Sequence, residues 1–459
     1  KPTPAPSGKT PASQSGNKGD EDTPCPSLPR PSDEDTPCPS LPQPPAPTPA
    51  SSGKTPASGA GAPPTDASNN VKQNALDANT KTSSAARAVP ALAAVAVSVA
   101  YLFLAYKARE KRFKLLSDAQ VRADAELINV DALTPEQQAH VAPTSTWRWR
   151  NDDSDRERPV LSFGSMGDAH KGFFVIRDAI DAATQLEIAH ACLTEYVEPP
   201  HVTNMHQQNQ QVEGIWKKAW QSHPHEPAAS PVLSKLHWGA AGYHYDWTAR
   251  KYYPQDYSPV PQRLAALGQQ CAEACGETLE AEAVIVNFYK KSSTMGGHQD
   301  DVEDTMAHPV VSLSLGSDCV FLKGTCTKED APLEVLLRSG DLAVLSGNSR
   351  LSYHGVAKVL PRAFAISGQE MEALVAKKMK EECSEEGERT ADEWRDELRA
   401  VKRYLETHRI NINIRQVYER PGDPAAEAEH EAVVSLPAET NTEGGEEAHV
   451  SKRQKVCAK

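Results

Sequence analysis

The sequence contains no C-x-x-C pair, and its nine cysteines are an odd number. Cys271 and Cys275 stand four apart in a helix-like segment, an uncommon spacing for a disulfide. These absences argue against a disulfide-stapled fold and indicate reduced thiols in an intracellular protein. Excess positive charge is missing as well: the formal net charge is −13. That counts against nucleic-acid binding driven by overall charge. The deficit is local, however. Residues 421–450 hold eight acidic side chains and no Lys or Arg, so this tail supplies −8 and leaves −5 for the rest. A near-neutral globular part still has room for a basic groove.

The chain has 459 residues, too many for one ordinary core. Hydrophobic residues make up 39% and prolines number 36, which implies a globular part with disordered flanks. Residues 1–86 read as a disordered Pro/Ser/Thr-rich arm. In it "DEDTPCPSLPRP" (20–31) recurs as "DEDTPCPSLPQP" (33–44), a period too short and proline-rich for a solenoid. Residues 87–112 contain "AVPALAAVAVSVAYLFLAY" (88–106), 19 residues without charge. That is just long enough to span a bilayer. Lys107, Arg109, Lys111, Arg112 and Lys114 follow, which would place the C-terminal part in the cytoplasm. The same run is readable as part of a targeting segment or as a buried helix. Residues 113–144 read as a linker, 145–420 as the globular domain and 421–459 as a disordered acidic tail. The tail ends with a weak basic cluster, "SKRQK". Nucleus, cytoplasm and mitochondrion all stay open as compartments, with or without a membrane tether, and the chain is expected to work as a monomer.

Within the domain, "GFFVIRDAI" (172–180) reads as a strand entering a helix near Asp181, which continues through Leu186, Ala189 and Leu193. A tryptophan- and tyrosine-rich stretch follows at 213–257. Then "AEAVIVNFY", "HPVVSLSLG", "DCVFLKG", "PLEVLLRSG", "DLAVLSG" and "AFAISG" read as short strands punctuated by turn residues. Such a succession predicts a sandwich or barrel, jelly rolls included. Thr390 and Glu393 form a capping-box signature, followed by Trp394, Leu398, Val401 and Leu405 at helical spacing. That helix leads straight into "RININIR" (409–415).

In RININIR, Arg409, Asn411, Asn413 and Arg415 alternate with three isoleucines. A strand would put the isoleucines on one face and the polar residues on the other. The polar face is either wet or the lining of an anion pocket, for which arginine forks are suited. "GGHQDD" places His298 and Asp300 two residues apart, on the same side of an extended segment. The best third partner is His354 in "SRLSYHG", 54 residues downstream. Two histidines and one carboxylate form the facial triad of non-haem Fe(II) oxygenases; the same set also holds zinc or manganese.

"NFYKKSSTMGGHQDD", "SGDLAVLSGNSRLSYHGV" and "RININIR", in this order, resemble the AlkB family of Fe(II)/2-oxoglutarate-dependent dioxygenases. The likeness covers about 170–420 and is nearest to the AlkB homologue one subgroup, through "HWGAAGYHYDW" (237–247). The resemblance implies an α+β fold: a double-stranded β-helix (jelly-roll) core with flanking helices. It implies Fe(II), 2-oxoglutarate and O2 as metal and co-substrates. His298, Asp300 and His354 match the iron ligands. Asn287 and Tyr289 match positions that contact 2-oxoglutarate. Arg409 matches the arginine that takes its far carboxylate, Asn411 a shared asparagine, and Arg415 an arginine nearer the metal. Three departures touch substrate recognition. Asn413 replaces a threonine. "KGTCTKED" replaces a basic run, with Lys328 the nearest equivalent, and Val302 replaces an acid of bacterial-type members.

The implied reaction oxidises an N-methyl group on a nucleic-acid base, which leaves as formaldehyde. A tRNA loop presents such bases at lower cost than a duplex, so tRNA carrying N1-methyladenosine is favoured over DNA. Trp238, Tyr243 and Tyr245 are candidates to stack on the base. Lys217, Lys218, Arg250, Lys251, Lys290 and Lys291 are candidates for phosphate contacts. Two other functions stay open: the same chemistry on protein side chains, and a membrane-tethered binding module without catalysis.

Overall fold

Alternation along the central strands gives each sheet a face toward the helices and a face toward the other sheet. The computed structural model describes residues 105–150, 156–208, 210, 212–382 and 389–420. All of these fall in one compact unit. The repeat arm, the apolar run up to residue 104 and the acidic tail lie outside the described residues. Among the described residues no helix is long and apolar enough to cross a membrane.

The strands are β1 (Ala142–Arg148), β2 (Glu157–Ser162), β3 (Phe173–Ile176), β4 (Val202–Thr203), β5 (Trp238–Asp246), β6 (Lys251–Ser258) and β7 (Ala283–Tyr289). They continue as β8 (Met295–His298), β9 (Val310–Gly316), β10 (Asp318–Lys323), β11 (Leu333–Leu337), β12 (Leu342–Leu345), β13 (His354–Leu360) and β14 (Arg409–Arg415). The larger sheet runs β1-β2-β3-β12-β9-β14-β7-β5-β4, with β6 paired to β5. The smaller runs β11-β10-β13-β8. From β7 onward the chain passes back and forth between the two antiparallel sheets, which makes the core a double-stranded β-helix.

Helices cover the outer faces. On the larger sheet lie α2 (Ala182–Thr194), α4 (Gln262–Ala274), α5 (Gly368–Glu381) and α6 (Ala391–Thr407), with α3 (Ile215–Ser222) packed on α2. Asp181 caps α2 by accepting from Thr184 N, and Thr390 with Glu393 forms the capping box of α6. Ile410, Ile412 and Ile414 are fully buried in this helix-facing core, each stabilising it by roughly 1.5–3 kcal/mol. Phe173, Tyr289, Phe321 and Val356 belong to the separate core between the sheets.

Two expected features differ. The stretch 113–144, expected as a linker, is packed into the fold: Phe113, Val121 and Leu127 join a cluster on the outer face of the smaller sheet, Ile128 and Val141 enter the core between the sheets, and β1 begins at Ala142. Helix α1 (Ala105–Leu115) places Tyr106 and Phe113 in a buried cluster with Val121, Leu127, Val320, Leu322 and Ala357. Arg109 and Arg112, expected to flank a membrane span, bond Glu334 at 3.1 and 2.8 Å. The polar spacing of this stretch hides its few apolar anchors. "AFAISG" forms no strand: Phe364 enters the helix-side core, and Ser367 caps α5 by accepting from Glu370 N at 3.1 Å. A short apolar run does not distinguish strand from helix lead-in by periodicity.

Phe113 has no exposed surface. Phe113→Ala is expected to cost about 3–5 kcal/mol in urea unfolding; a loss under ~1 kcal/mol would contradict the docking of α1.

His408, at the α6–β14 junction, stacks on Tyr404 at 4.4 Å. Burial, then Lys290, push its imidazole down to about 4. The unfolded chain therefore binds the extra proton first as pH falls. This contribution to stability is complete above pH ~6.5 and is lost toward pH 4, by at most about 1.4 kcal/mol per pH unit. His408→Gln is expected to shrink the fall in urea midpoint between pH 7.5 and 5; an unchanged slope would contradict the assignment.

Candidate metal centre

The register of β13 on β8 sets His354 directly opposite His298. Their rings lie 4.5 Å apart. Asp300 follows two residues after His298 and reaches between them: Oδ1 is 3.8 Å from His298 Nε2, and Oδ2 is 3.8 Å from His354 Nε2. One ligand atom from each residue lies within 4.8 Å of the others. The sequence-expected triad is thus brought together.

Both imidazoles are oriented by backbone carbonyls. His298 Nδ1 lies 3.0 Å from Gly296 O, and His354 Nδ1 lies 3.1 Å from Ser352 O. A carbonyl only accepts, so each proton sits on Nδ1 and each Nε2 lone pair faces the shared point. Burial, then His298, push the His354 imidazole down to about 4, which keeps it neutral and able to donate its lone pair. His298 is the open side, with 42% of its side chain exposed against 11% for His354.

Asp300 is held from behind. Burial alone would raise its carboxyl; the Arg415 guanidinium and the two imidazoles overcome this and hold it well below the usual carboxylate range. Arg415 NH2 is 3.1 Å from Asp300 Oδ2, and its NH1 donates to Glu303 at 2.7 Å. Arg350 donates to Glu303 at 3.2 Å and to the Asp300 carbonyl at 2.6 Å. Burial works against an ionised Glu303 too, and Arg415 with Arg350 keep it ionised. Neither Glu303 nor Arg350 was singled out from sequence, although Arg350 lies within the motif that carries His354 and Glu303 stands two residues past the one that carries His298 and Asp300. Their signal is position: Glu303 follows Asp300 by three residues and Arg350 precedes His354 by four.

Arg409, at the other end of β14, is in a different state. It is 2% exposed. Its NH2 donates to Ser314 Oγ at 3.0 Å, and its Cζ stands 5.3 Å from the Tyr289 ring centroid. Among the described residues its Nε and NH1 have no hydrogen-bond partner. A buried guanidinium with two unused donors is costly unless an anion completes it. Asn411 sits between Asn287 of β7 and Ser314 of β9 in register, and donates to Leu313 O at 3.3 Å. Burial raises Tyr289 to about 12, so its hydroxyl stays protonated. The donor set fits a dicarboxylate whose far end reaches Arg409. The two imidazoles and one carboxylate fit a divalent iron ion with open positions.

The aromatic segment forms a hairpin of β5 and β6. Trp238 packs 5.7 Å from Trp247, and Tyr245 meets Trp247 edge-on at 4.7 Å. Tyr243 packs against Tyr257 and Tyr418 at 5.0 and 4.8 Å. Trp247 and Tyr257 are about half exposed, at 49% and 52%; neither was singled out from sequence. Val302, two residues past Asp300, joins the cluster of Tyr243, Tyr245 and Tyr252, so this surface borders the metal-facing loop. Lys328 is placed elsewhere: its ammonium stands 4.6 Å from the Tyr353 ring centroid, and its carbonyl accepts from Tyr106 N. Lys290 and Lys291, expected at phosphates, are engaged by Ser234 O at 2.6 Å and Asp118 at 3.0 Å.

Comparison with known proteins adds an independent line. A family model described as the 2OG-Fe(II) oxygenase superfamily matches residues 186–415. The nucleic acid dioxygenase ALKBH1 of Homo sapiens is 32% identical over 274 residues, covering 57% of this chain and 68% of that protein. Its Mus musculus counterpart is 31% identical over 283 residues, covering 58% and 70%. The DNA N(6)-methyladenine demethylase ALKBH1A of Arabidopsis thaliana is 32% identical over 282 residues, covering 55% and 76%.

Arg409→Leu is expected to weaken 2-oxoglutarate binding by about 2–5 kcal/mol, at least roughly 30-fold, because the far carboxylate loses its buried partner. Calorimetry on the metal-loaded protein reads this, and metal affinity should hold within about twofold. Equal 2-oxoglutarate affinity in both proteins would remove Arg409 from the pocket.

Proposed function

The chain belongs to the 2OG-Fe(II) oxygenase superfamily and, within it, to the AlkB family of dioxygenases, and we propose that it oxidatively demethylates N-methylated nucleic-acid bases, tRNA carrying N1-methyladenosine ahead of DNA. One observation carries the proposal. The His298–Asp300–His354 cluster and the unsatisfied Arg409 occupy one core, and an aromatic hairpin borders the same loop. Relatives described as a nucleic acid dioxygenase and a tRNA demethylase support the substrate class.

In this reading His298, Asp300 and His354 would hold the iron, and Arg409, beside the Tyr289 ring, would take the far carboxylate of 2-oxoglutarate. Iron bound there would supply the oxidising chemistry, in which O2 and 2-oxoglutarate are consumed, succinate and CO2 are released, and the methyl group is lost from the base nitrogen as formaldehyde. Arg415 keeps Asp300 ionised and aimed at the metal. The core behind Tyr289 excludes water from the carboxylate end. Trp238, Tyr243 and Tyr245, with Trp247 beside them, offer faces on which an unstacked base is held at the open, His298 side. Stacking of this kind is worth roughly 1–3 kcal/mol per base.

The test uses the full chain with Fe(II), 2-oxoglutarate and bulk tRNA, following N1-methyladenosine by mass spectrometry. Loss of the mark is expected with the wild type and not with Asp300→Ala. Succinate formation that leaves tRNA unchanged and methylated DNA demethylated would move the substrate to DNA. Succinate without change in either polymer would point to protein side chains.

A further inference from the structure

The glycine immediately before His298 has a cause on the outer side of the smaller sheet. Among the described residues β8 is an edge strand, paired only with β13, so its outward N–H groups lack a strand partner there. Helix α1 lies along that edge. A Cβ at Gly297 would collide with the Tyr106 ring. The Tyr106 hydroxyl in turn donates to Leu322 O of β10 at 3.2 Å. The Gly297 N–H donates to Glu110 Oε1 at 2.7 Å. Glu110 is 6% exposed and bonds Lys107 with its second oxygen.

The peptide unit in this contact is the one joining Gly296 to Gly297. Its N–H faces Glu110, and its carbonyl is the acceptor of His298 Nδ1–H at 3.0 Å. A carboxylate, a peptide unit and an imidazole therefore form one continuous hydrogen-bonded line. Each bond in such a line polarises the next.

We propose that Glu110 is a positioning residue for His298, acting through the Gly296–Gly297 peptide. This rests on the reading of His298 as a metal ligand. Metal-binding histidines are often held by a carboxylate on their second nitrogen, which fixes the tautomer and strengthens the donor. Here the carboxylate stands one peptide further out. His298 is also the more exposed of the two imidazoles, and its strand lies at a sheet edge, so it gains most from a second anchor. His354 Nδ1 bonds Ser352 O within the chain that leads into β13. The two imidazoles therefore differ in what stands behind them, and the difference is measurable.

The experiment uses the full chain and Co(II) as the probe. Absorbance titration gives the affinity. Proton NMR of the Co(II) form resolves the Nδ1–H signals of bound histidines outside the main envelope. Glu110→Ala is expected to weaken Co(II) binding about tenfold or more, the range for lost outer-shell partners. It should speed solvent exchange of one Nδ1–H and leave the other. Glu110→Gln keeps an acceptor in place and should recover most of the affinity; thermal midpoints are taken for each variant. Unchanged affinity and exchange in Glu110→Ala would overturn the proposal. So would equal changes at both histidines, or a Gln variant as weak as Ala with a matching fall in thermal midpoint, which marks general loosening. A wild type that binds no Co(II), or binds it as tightly after Asp300→Ala, would overturn the metal reading and this proposal with it.

Discussion

The two faces of β14 make opposite demands. Ile410, Ile412 and Ile414 need a dry helix layer, while Arg409, Asn411 and Arg415 need partners in the space between the sheets. A slip of one residue would exchange the two sets, putting charge under the helices and isoleucine in the polar site. Pairing on both sides prevents this. β7 and β9 place Asn287 and Ser314 beside Asn411, and Tyr289 and Gly316 beside Arg409. The positions of the ligand carboxylate, the pocket arginine and the helix-side core all follow from that register.

The buried charges divide the work between the ends of this strand. Asp300 and Glu303 are matched by Arg350 and Arg415, two against two, through contacts of 2.7–3.2 Å. Arg415 is therefore committed to supporting the metal carboxylate. Arg409 has hydroxyl and aromatic neighbours but, among the described residues, no carboxylate at ion-pair distance. Burying a guanidinium in that state is unfavourable in isolation. In the proposed function a carboxylate of 2-oxoglutarate would complete the site, and the same cost would make the pocket selective for an anion. Two chemically identical side chains thus hold different roles through their neighbours alone.

Much of this was legible in the sequence because the relevant signals are local. The H-x-D spacing puts two ligands on one side of an extended segment, and the alternation in RININIR reports a strand with two faces. The capping residues Asp181 and Thr390 mark helix starts that the structure places there. What escaped depends on contacts between distant segments. Helix α1 reads in sequence as the end of an apolar run with its basic flank, and the apolar contacts of Tyr106 and Phe113, with the polar bonds of Arg109, Glu110 and Arg112, tie it to the smaller sheet. Gly297 looks like a turn residue until Tyr106 of α1 is seen lying against it. Lys328 sits at the expected place in the chain, yet a loop after β10 carries it to Tyr353 and α1. Glu303 is one acid among several in "QDDVED", and nothing local distinguishes the one that is buried between two arginines.

The central claim is that one pocket between the sheets joins a metal held by His298, Asp300 and His354 to an anion held by Arg409. Crystals of the full chain grown with Mn(II) and 2-oxoglutarate, with anomalous diffraction data collected to locate the metal, test it most directly. The account predicts one strong anomalous peak bound by His298 Nε2, Asp300 and His354 Nε2, and a 2-oxoglutarate carboxylate on the Arg409 nitrogens that now lack partners. A metal peak away from that triad, or a co-substrate that leaves Arg409 unpaired, would contradict it.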